Sequence, residues 1–155
     1  MSVTRYVGIA PELAEEARAT MRSPQYGHPA SRDRAKGYGP CRLCLRTFVI
    51  GEEDRLLFTY QPHQGEGAVP QPGPVYIHAE PCARYDALEP PRDFRSLPIV
   101  VEGYQASGWI SAQEPVTTAP VEEVVARMFE RRDVAYVHLR NREAGCFMAR
   151  VERAG

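Results

Sequence analysis

The sequence lacks any long hydrophobic run, and its longest uninterrupted apolar stretch covers only residues 97–101. A transmembrane helix needs about 20 predominantly apolar residues, so we expect no membrane-spanning segment. The first residues, MSVTR, also lack the basic and then apolar pattern of a secretory signal. We therefore expect a cytoplasmic protein, in which the four cysteines are metal ligands or free thiols rather than disulfides.

Short motifs that identify several enzyme classes are also missing. The sequence has no glycine-rich phosphate-binding loop, no Gly-x-Ser-x-Gly and no His-Glu-x-x-His. It contains no internal repeat and no low-complexity tract. No motif of these kinds points to a substrate, and whether the protein is an enzyme stays open.

Lysine is nearly absent as well, since Lys36 is the only one, and the formal net charge is −1. The charge is nevertheless uneven along the chain. Residues 18–46 hold seven basic side chains and one acidic, whereas residues 47–126 hold four basic and twelve acidic. The basic segment 18–46 could attract nucleic acid. The alternative, which the near-zero net charge favours, is a solvated surface whose charges balance internally.

Length and periodicity indicate the fold class. A chain of 155 residues with 43% hydrophobic content fits a single domain over residues 1–155. The clearest helix is predicted over residues 120–132, with an apolar face made by Val121, Val124, Val125, Met128 and Phe129. An earlier helix should begin near Pro11, with its apolar face formed by Leu13, Ala17 and Met21.

About seven short strands are predicted between long loops. Residues 22–40 and 61–74 are rich in Gly and Pro and predict loops. Two strands should flank residues 51–53, and a short strand at residues 75–77 should run into His78. Two hairpins are predicted, from residues 99–104 with 109–111 and from residues 134–140 with 146–152. The sequence therefore predicts an α+β protein with a mostly antiparallel sheet and two main helices.

Two pairs of soft donor atoms stand out. Cys41 and Cys44 are separated by two residues, and His78 and Cys82 are separated by three. Three thiols and one imidazole are what a closed tetrahedral zinc site needs. With no open coordination position, such a zinc ion would be structural, and its loss should loosen residues 40–85.

The spacing is similar to that of a treble-clef zinc finger, in which a knuckle and a hairpin precede two ligands where a helix begins. Leu45 stands where such knuckles usually have Gly, and the second pair is one residue wider than usual. Alternatives remain open at this stage. The cysteines could be buried small apolar residues without a metal, or Cys41 and Cys44 could form a redox pair. His28 and His63 are weaker candidate ligands.

The last predicted hairpin carries a second group of polar residues. Alternation places Tyr136, His138 and Arg140 on one face of its first strand. On its second strand, alternation places Cys146 and Arg150 with Met148, opposite Phe147 and Ala149.

Three hypotheses follow for this hairpin. The first is a pocket for carboxylate or phosphate, and its candidate residues are His138, Arg140, Asn141 and Arg150. The second is a small enzyme that uses Cys146 as a nucleophile activated by His138. The third is a solvent-facing sheet surface with cross-strand charge pairs.

Three blocks of residues together resemble one family. They are residues 40–46, residues 73–82, and residues 136–141 leading to 145–147. In these blocks the chain resembles the bacterial family labelled domain of unknown function 1203, over most of residues 38–152. The resemblance implies that both polar constellations are family features. It implies no substrate, partner or catalytic residue.

Overall fold

Two antiparallel sheets and two α-helices make up the computed structural model, which describes residues 3–63 and 70–155. The elements are β1 (Thr4–Val7), α1 (Pro11–Thr20), β2 (Ser31–Arg34), β3 (Asp54–Tyr60), β4 (Gly73–His78), β5 (Asp86–Ala87), β6 (Ile99–Tyr104), β7 (Ile110–Pro115), α2 (Val121–Phe129), β8 (Tyr136–Asn141) and β9 (Phe147–Arg153), with a 3₁₀ helix at Arg92–Ser96. The predicted α+β class is confirmed. Within the described residues, no helix has the length and apolar character needed to cross a membrane.

The larger sheet has the strand order β5-β1-β9-β8-β6-β7, and α2 packs on one of its faces. Helix α2 forms where predicted because Pro120 precedes its first turn and its apolar residues repeat at helical spacing. All five predicted face residues are buried. The helix ends at Phe129 rather than at residue 132. Arg153 donates to the Phe129 carbonyl oxygen and closes that end.

The smaller sheet has the order β2-β3-β4 and shields a second apolar cluster. Ala14 and Ala17 of α1 pack into this cluster with Ile77 of β4. Phe147, at the start of β9, joins the same cluster, whereas its neighbour Met148 joins the cluster under α2. The last hairpin therefore contributes to both cores, and both of its faces are covered.

Several local predictions were wrong. Met21 is not on the buried face of α1, because it adopts a left-handed conformation (φ 54°) that ends the helix. The predicted loop over residues 22–40 contains strand β2, which is held by pairing with β3 rather than by apolar alternation. Only one strand, β3, flanks residues 51–53, since residues 47–53 form an isolated bridge and turns.

Strict alternation also fails in the last hairpin. His138 pairs with Arg150 and Leu139 with Ala149, but Arg140 pairs with Phe147, so Met148 is extra. Such a β-bulge places two residues of one strand opposite one of the other. It turns Phe147 toward the His138 side of the sheet, with ring centroids 4.9 Å apart, and reverses the predicted faces of Phe147 and Met148.

Candidate metal centre

Cys41 and Cys44 lie in a tight knuckle between α1 and β3. The Leu45 amide donates to the Cys41 carbonyl oxygen at 2.8 Å, and the Cys41 amide donates to the Arg46 carbonyl oxygen at 2.9 Å. Leu45 has φ 59°, the left-handed conformation that usually favours Gly. Its side chain is fully buried in the core under α2. We infer that this burial offsets a backbone cost of about 1 kcal/mol, which accounts for leucine at this position.

His78 and Cys82 come from the end of β4 and the segment after it. His78 is the last residue of β4 and pairs with Arg55 of β3. The helical turn expected after His78 is absent, because residues 79–85 form no helix. Arg18 of α1 binds both positions, since its Nε donates to the His78 carbonyl oxygen at 3.1 Å and its Nη2 donates to Cys82 Sγ at 3.5 Å.

The four predicted ligands converge. One ligand atom from each of Cys41, Cys44, His78 and Cys82 lies within 4.8 Å of all the others. Cys41 Sγ is 3.8 Å from Cys82 Sγ, and Cys44 Sγ is 3.5 Å from His78 Nδ1. The cysteines are free thiols rather than disulfides. This group could hold a metal ion, and the His78 amide donates to Cys41 Sγ at 3.3 Å, as suits a thiolate ligand.

The far side of the His78 ring faces a carboxylate. Its Nε2 lies 3.2 Å from Glu53 Oε1 and 3.0 Å from Arg46 Nη2. A guanidinium only donates and a carboxylate only accepts, so Nε2 cannot hydrogen-bond to both. A cation at Nδ1 would leave the proton on Nε2, and Nε2 would then donate to Glu53 rather than accept from Arg46. A carboxylate is a usual hydrogen-bond partner of a metal-bound imidazole.

Donor crowding perturbs the protonation of the cluster. Burial raises the pKa of the Cys41 thiol, but hydrogen bonds from Cys44, Cys82 and His78 outweigh burial and lower it. Hydrogen bonds to Cys41 and Cys82 raise the pKa of Cys44. Burial lowers the pKa of His78, but contacts with the thiols and Glu53 raise it to about 10 overall. One thiol therefore loses its proton more easily while Cys44 and His78 keep theirs. A bound cation would replace these protons, because metal ligands bind in their deprotonated form.

Sequence reasoning missed the residues that support this cluster. In the sequence, Glu53 is typical of surface charge at a turn, and Arg18 is one of several basic residues in segment 18–46, so neither indicates a role beside the cluster. The pairing of β3 with β4 brings the turn that contains Glu53 beside His78. His28 and His63 do not join the cluster, since His28 stacks on Tyr26 and His63 hydrogen-bonds with the Tyr136 hydroxyl.

The basic segment 18–46 is largely occupied by contacts inside the chain. Arg32 and Arg34 pair with Asp54, and Arg46 pairs with Glu53. Arg42 is buried, and burial lowers its pKa to about 10, so it stays charged at neutral pH. Nucleic-acid binding through this segment stays a prediction.

The four predicted anion-binding residues lie along the last hairpin. Arg140 donates to Gln71 Oε1 at 2.7 Å and to the Gly145 carbonyl oxygen at 3.1 Å, and it pairs with Glu102. Arg150 lies 4.2 Å above the Tyr136 ring and pairs with Glu152.

Asn141 and His138 have other surroundings. The Asn141 side chain accepts from two amides of the hairpin turn, at Glu143 and Ala144. His138 is fully buried, and neither of its ring nitrogens has a hydrogen-bond partner among the described residues. Cys146 therefore does not hydrogen-bond to it. Anion binding by these four residues stays a prediction.

His138 gives a prediction for pH dependence. Burial, and then the nearby positive charges of His63, Arg140 and Arg150, lower its pKa well below 6.5. Below pH 6.5 the unfolded chain therefore binds a proton that the folded protein resists, so stability falls as the pH falls. Each pH unit in that range costs on the order of 1 kcal/mol.

Aromatic rings surround His138, so a phenylalanine is a suitable replacement for it. Tyr104, Tyr136 and Phe147 pack against His138, and His63, whose pKa burial also lowers, lies 4.6 Å away between ring centroids. We expect His138→Phe to lose less stability than the native chain between pH 7.5 and 5.5 in urea unfolding. His28→Gln, which changes an exposed histidine, should keep the native slope. Equal slopes for the His138 variant and the native chain would contradict this prediction.

The comparisons with known proteins name one family. Residues 38–153 match the model of the family described as "Protein of unknown function (DUF1203)", and the chain belongs to that family. The match includes the four clustered residues and the last hairpin. No curated protein and no solved structure matches the chain.

Proposed function

We propose that this protein is a zinc-stabilised binding or accessory module, in which Cys41, Cys44, His78 and Cys82 hold one structural zinc ion. The observation that carries the proposal is the mutual approach of three sulfurs and one imidazole nitrogen within 4.8 Å. The donor set favours zinc because thiolate and imidazole are its preferred ligands and four of them complete its tetrahedron.

Contacts that neighbouring side chains make with the proposed ligands support the same assignment. Three thiolates and one neutral imidazole around Zn²⁺ carry a net charge of −1. Arg18 offsets that charge through its hydrogen bond to Cys82 Sγ, and Glu53 is placed to orient His78. When bound, the ion supplies cross-linking rather than Lewis-acid chemistry, because four protein ligands leave no position for a substrate.

The zinc site would tie together separate pieces of the chain. Cys41 and Cys44 lie in the knuckle, His78 ends β4, and Cys82 lies in an irregular segment. We propose that residues 40–85 depend on this link within one domain of residues 1–155. Three ligand thiols that must stay reduced also suit the cytoplasm, where we place the protein.

Metal analysis tests the proposal. Purified native protein should contain about one zinc per chain, with ligands at about 2.3 Å for sulfur and 2.0 Å for nitrogen in X-ray absorption. Cobalt substitution should give the thiolate charge-transfer bands of a tetrahedral site. Cys44→Ser should lose both signals, and Cys146→Ser, which removes the cysteine outside the cluster, should keep them. Native protein that binds no zinc even when titrated would refute the proposal.

A further inference from the structure

A pocket of about 260 Å³ lies between the knuckle, the smaller sheet and the turn of the last hairpin. Its walls include the aromatic rings of Phe48 and Tyr76 and the side chain of Met148. Phe48 and Tyr76 meet edge to face with ring centroids 6.4 Å apart. Two guanidiniums, those of Arg42 and Arg55, also line it. The pocket thus combines flat apolar walls with positive charge.

Arg42 is buried without a carboxylate partner. It is 6% exposed, its Nε donates to the Phe147 carbonyl oxygen at 2.8 Å, and its Nη1 donates to the Pro40 carbonyl oxygen at 2.7 Å. Among residues 3–63 and 70–155, no carboxylate pairs with it and Nη2 has no hydrogen-bond partner. Burial lowers the pKa of Arg42, and the groups that oppose this effect are the thiols of Cys146 and Cys41 and the Tyr76 hydroxyl. Buried charges in proteins are normally paired, because the desolvation of an unpaired ion is strongly unfavourable.

The second guanidinium shows what a balanced site looks like in the same pocket. Arg55 is also buried, but both its Nε and its Nη2 donate to the Asp33 carboxylate, at 2.9 and 3.3 Å. Its guanidinium lies 3.8 Å above the centre of the Tyr76 ring. Of the two guanidiniums that line the pocket, Arg42 is therefore the one without a carboxylate partner.

The thiolates of the proposed zinc site are the other source of negative charge nearby. Arg18, rather than Arg42, donates to a ligand sulfur, and the Arg42 hydrogen bonds run to the carbonyl oxygens of Pro40 and of Phe147 in β9. Arg42 follows Cys41 directly, so its backbone is held by the knuckle while its side chain lines the pocket. This arrangement leaves Arg42 for a ligand.

We infer that this pocket binds a small organic monoanion, a carboxylate on a flat apolar body, with Arg42 pairing with the carboxylate. The inference deepens the proposed function by naming the ligand class of the binding module. One guanidinium without a carboxylate partner matches a monoanion, and its fork fits a carboxylate. The aromatic walls fit a planar body, and the volume lies just below the range of about 300–1,000 Å³ for small-molecule sites, which favours a ligand the size of benzoate.

Cys146 provides a reporter, because it is half-buried and lines the same pocket. Iodoacetate and iodoacetamide have similar size but differ in charge, and both alkylate thiols. In zinc-loaded native protein at low salt, we expect the iodoacetate to iodoacetamide rate ratio at Cys146 to exceed that of Arg42→Met about ten-fold. Peptide mass spectrometry separates Cys146 from the other cysteines. Arg42→Lys, which keeps the charge, should retain part of the preference.

Benzoate should protect native Cys146 saturably, and inorganic phosphate should protect less. An unchanged rate ratio in folded Arg42→Met, or the absence of protection by benzoate, would overturn the inference. Stronger protection by phosphate than by benzoate would overturn the choice of a carboxylate. Zinc content is measured in the same samples, so loss of anion preference with zinc retained is distinct from failure of the metal site.

A second pair of variants does not alter Arg42. Cys146→Asp would place a carboxylate in the pocket, and Cys146→Asn is its uncharged match. If Arg42 lacks a carboxylate partner, the aspartate variant should melt at a higher temperature than the asparagine variant and bind benzoate more weakly. A lower melting temperature for the aspartate variant would overturn the inference, even if Arg42→Met does not fold.

Discussion

Cys82→Ser is expected to abolish zinc binding and to lower the free energy of unfolding by more than about 4 kcal/mol. The cost should be large because the substitution removes one ligand of four and leaves the sulfurs of Cys41 and Cys44 crowded without a cation. It also removes the sulfur to which Arg18 donates, so the Arg18 guanidinium on α1 loses one hydrogen-bond acceptor. Urea unfolding at saturating zinc measures the change.

The loss should be uneven across the molecule. The core under α2 is built mainly from residues of α2, β6, β8 and β9, none of which supplies a ligand, and Leu45 is the residue that the knuckle adds to it. Hydrogen exchange should therefore rise most in residues 40–63 and 70–85, and least in α2 and β8. A chelator added to the native protein should reproduce the same pattern.

Cys146→Ser is the matched control, since it makes the same chemical change outside the cluster. It should change the free energy of unfolding by less than about 1 kcal/mol. Equal destabilisation by the two serine variants, or uniform exchange across the chain in Cys82→Ser, would show that zinc does not organise residues 40–85.

The cluster of three cysteines and one histidine was predictable because the signal of each pair is local. Cys41 and Cys44 share one turn, and a strand running into His78 fixes the direction of the second pair. Helix α2 was predictable for a related reason, since its apolar residues recur at helical spacing within one segment and form a single buried face. In both cases the sequence signal lies within short segments, which are the pairs Cys41/Cys44 and His78/Cys82 and the helix Val121–Phe129.

Features that depend on pairing between distant segments were not predictable. Strand β2 is mostly polar and exists because β3 offers it hydrogen bonds. The bulge that turns Phe147 toward His138 depends on the register of β8 with β9, which alternation alone does not reveal. The contact between Glu53 and His78 likewise depends on the pairing within the smaller sheet. The pocket that Arg42 lines forms only when the last hairpin packs beside the knuckle.

Gly8→Ala is expected to lower the free energy of unfolding by about 3 kcal/mol and to weaken zinc binding. Gly8 lies between β1 and α1, and its amide donates to the Tyr85 carbonyl oxygen at 2.9 Å. A Cβ at this position would overlap the Leu43 carbonyl oxygen and lie 2.9 Å from the Arg42 carbonyl oxygen. Both obstacles are backbone atoms of the knuckle, so a rotamer change cannot relieve the clash.

The clash would push the knuckle away from the N-terminal segment. The Ile9 amide donates to the Arg42 carbonyl oxygen at 2.9 Å, so the same displacement breaks a backbone hydrogen bond and moves Cys41 and Cys44. Gly37→Ala is the matched control, because a Cβ there meets no atom within 4 Å and its φ is not positive. It should leave stability within about 0.5 kcal/mol of native. Urea unfolding and competition with a zinc chelator measure both effects, and a Gly8→Ala protein as stable and as tightly zinc-bound as Gly37→Ala would mean that the knuckle does not rest on Gly8.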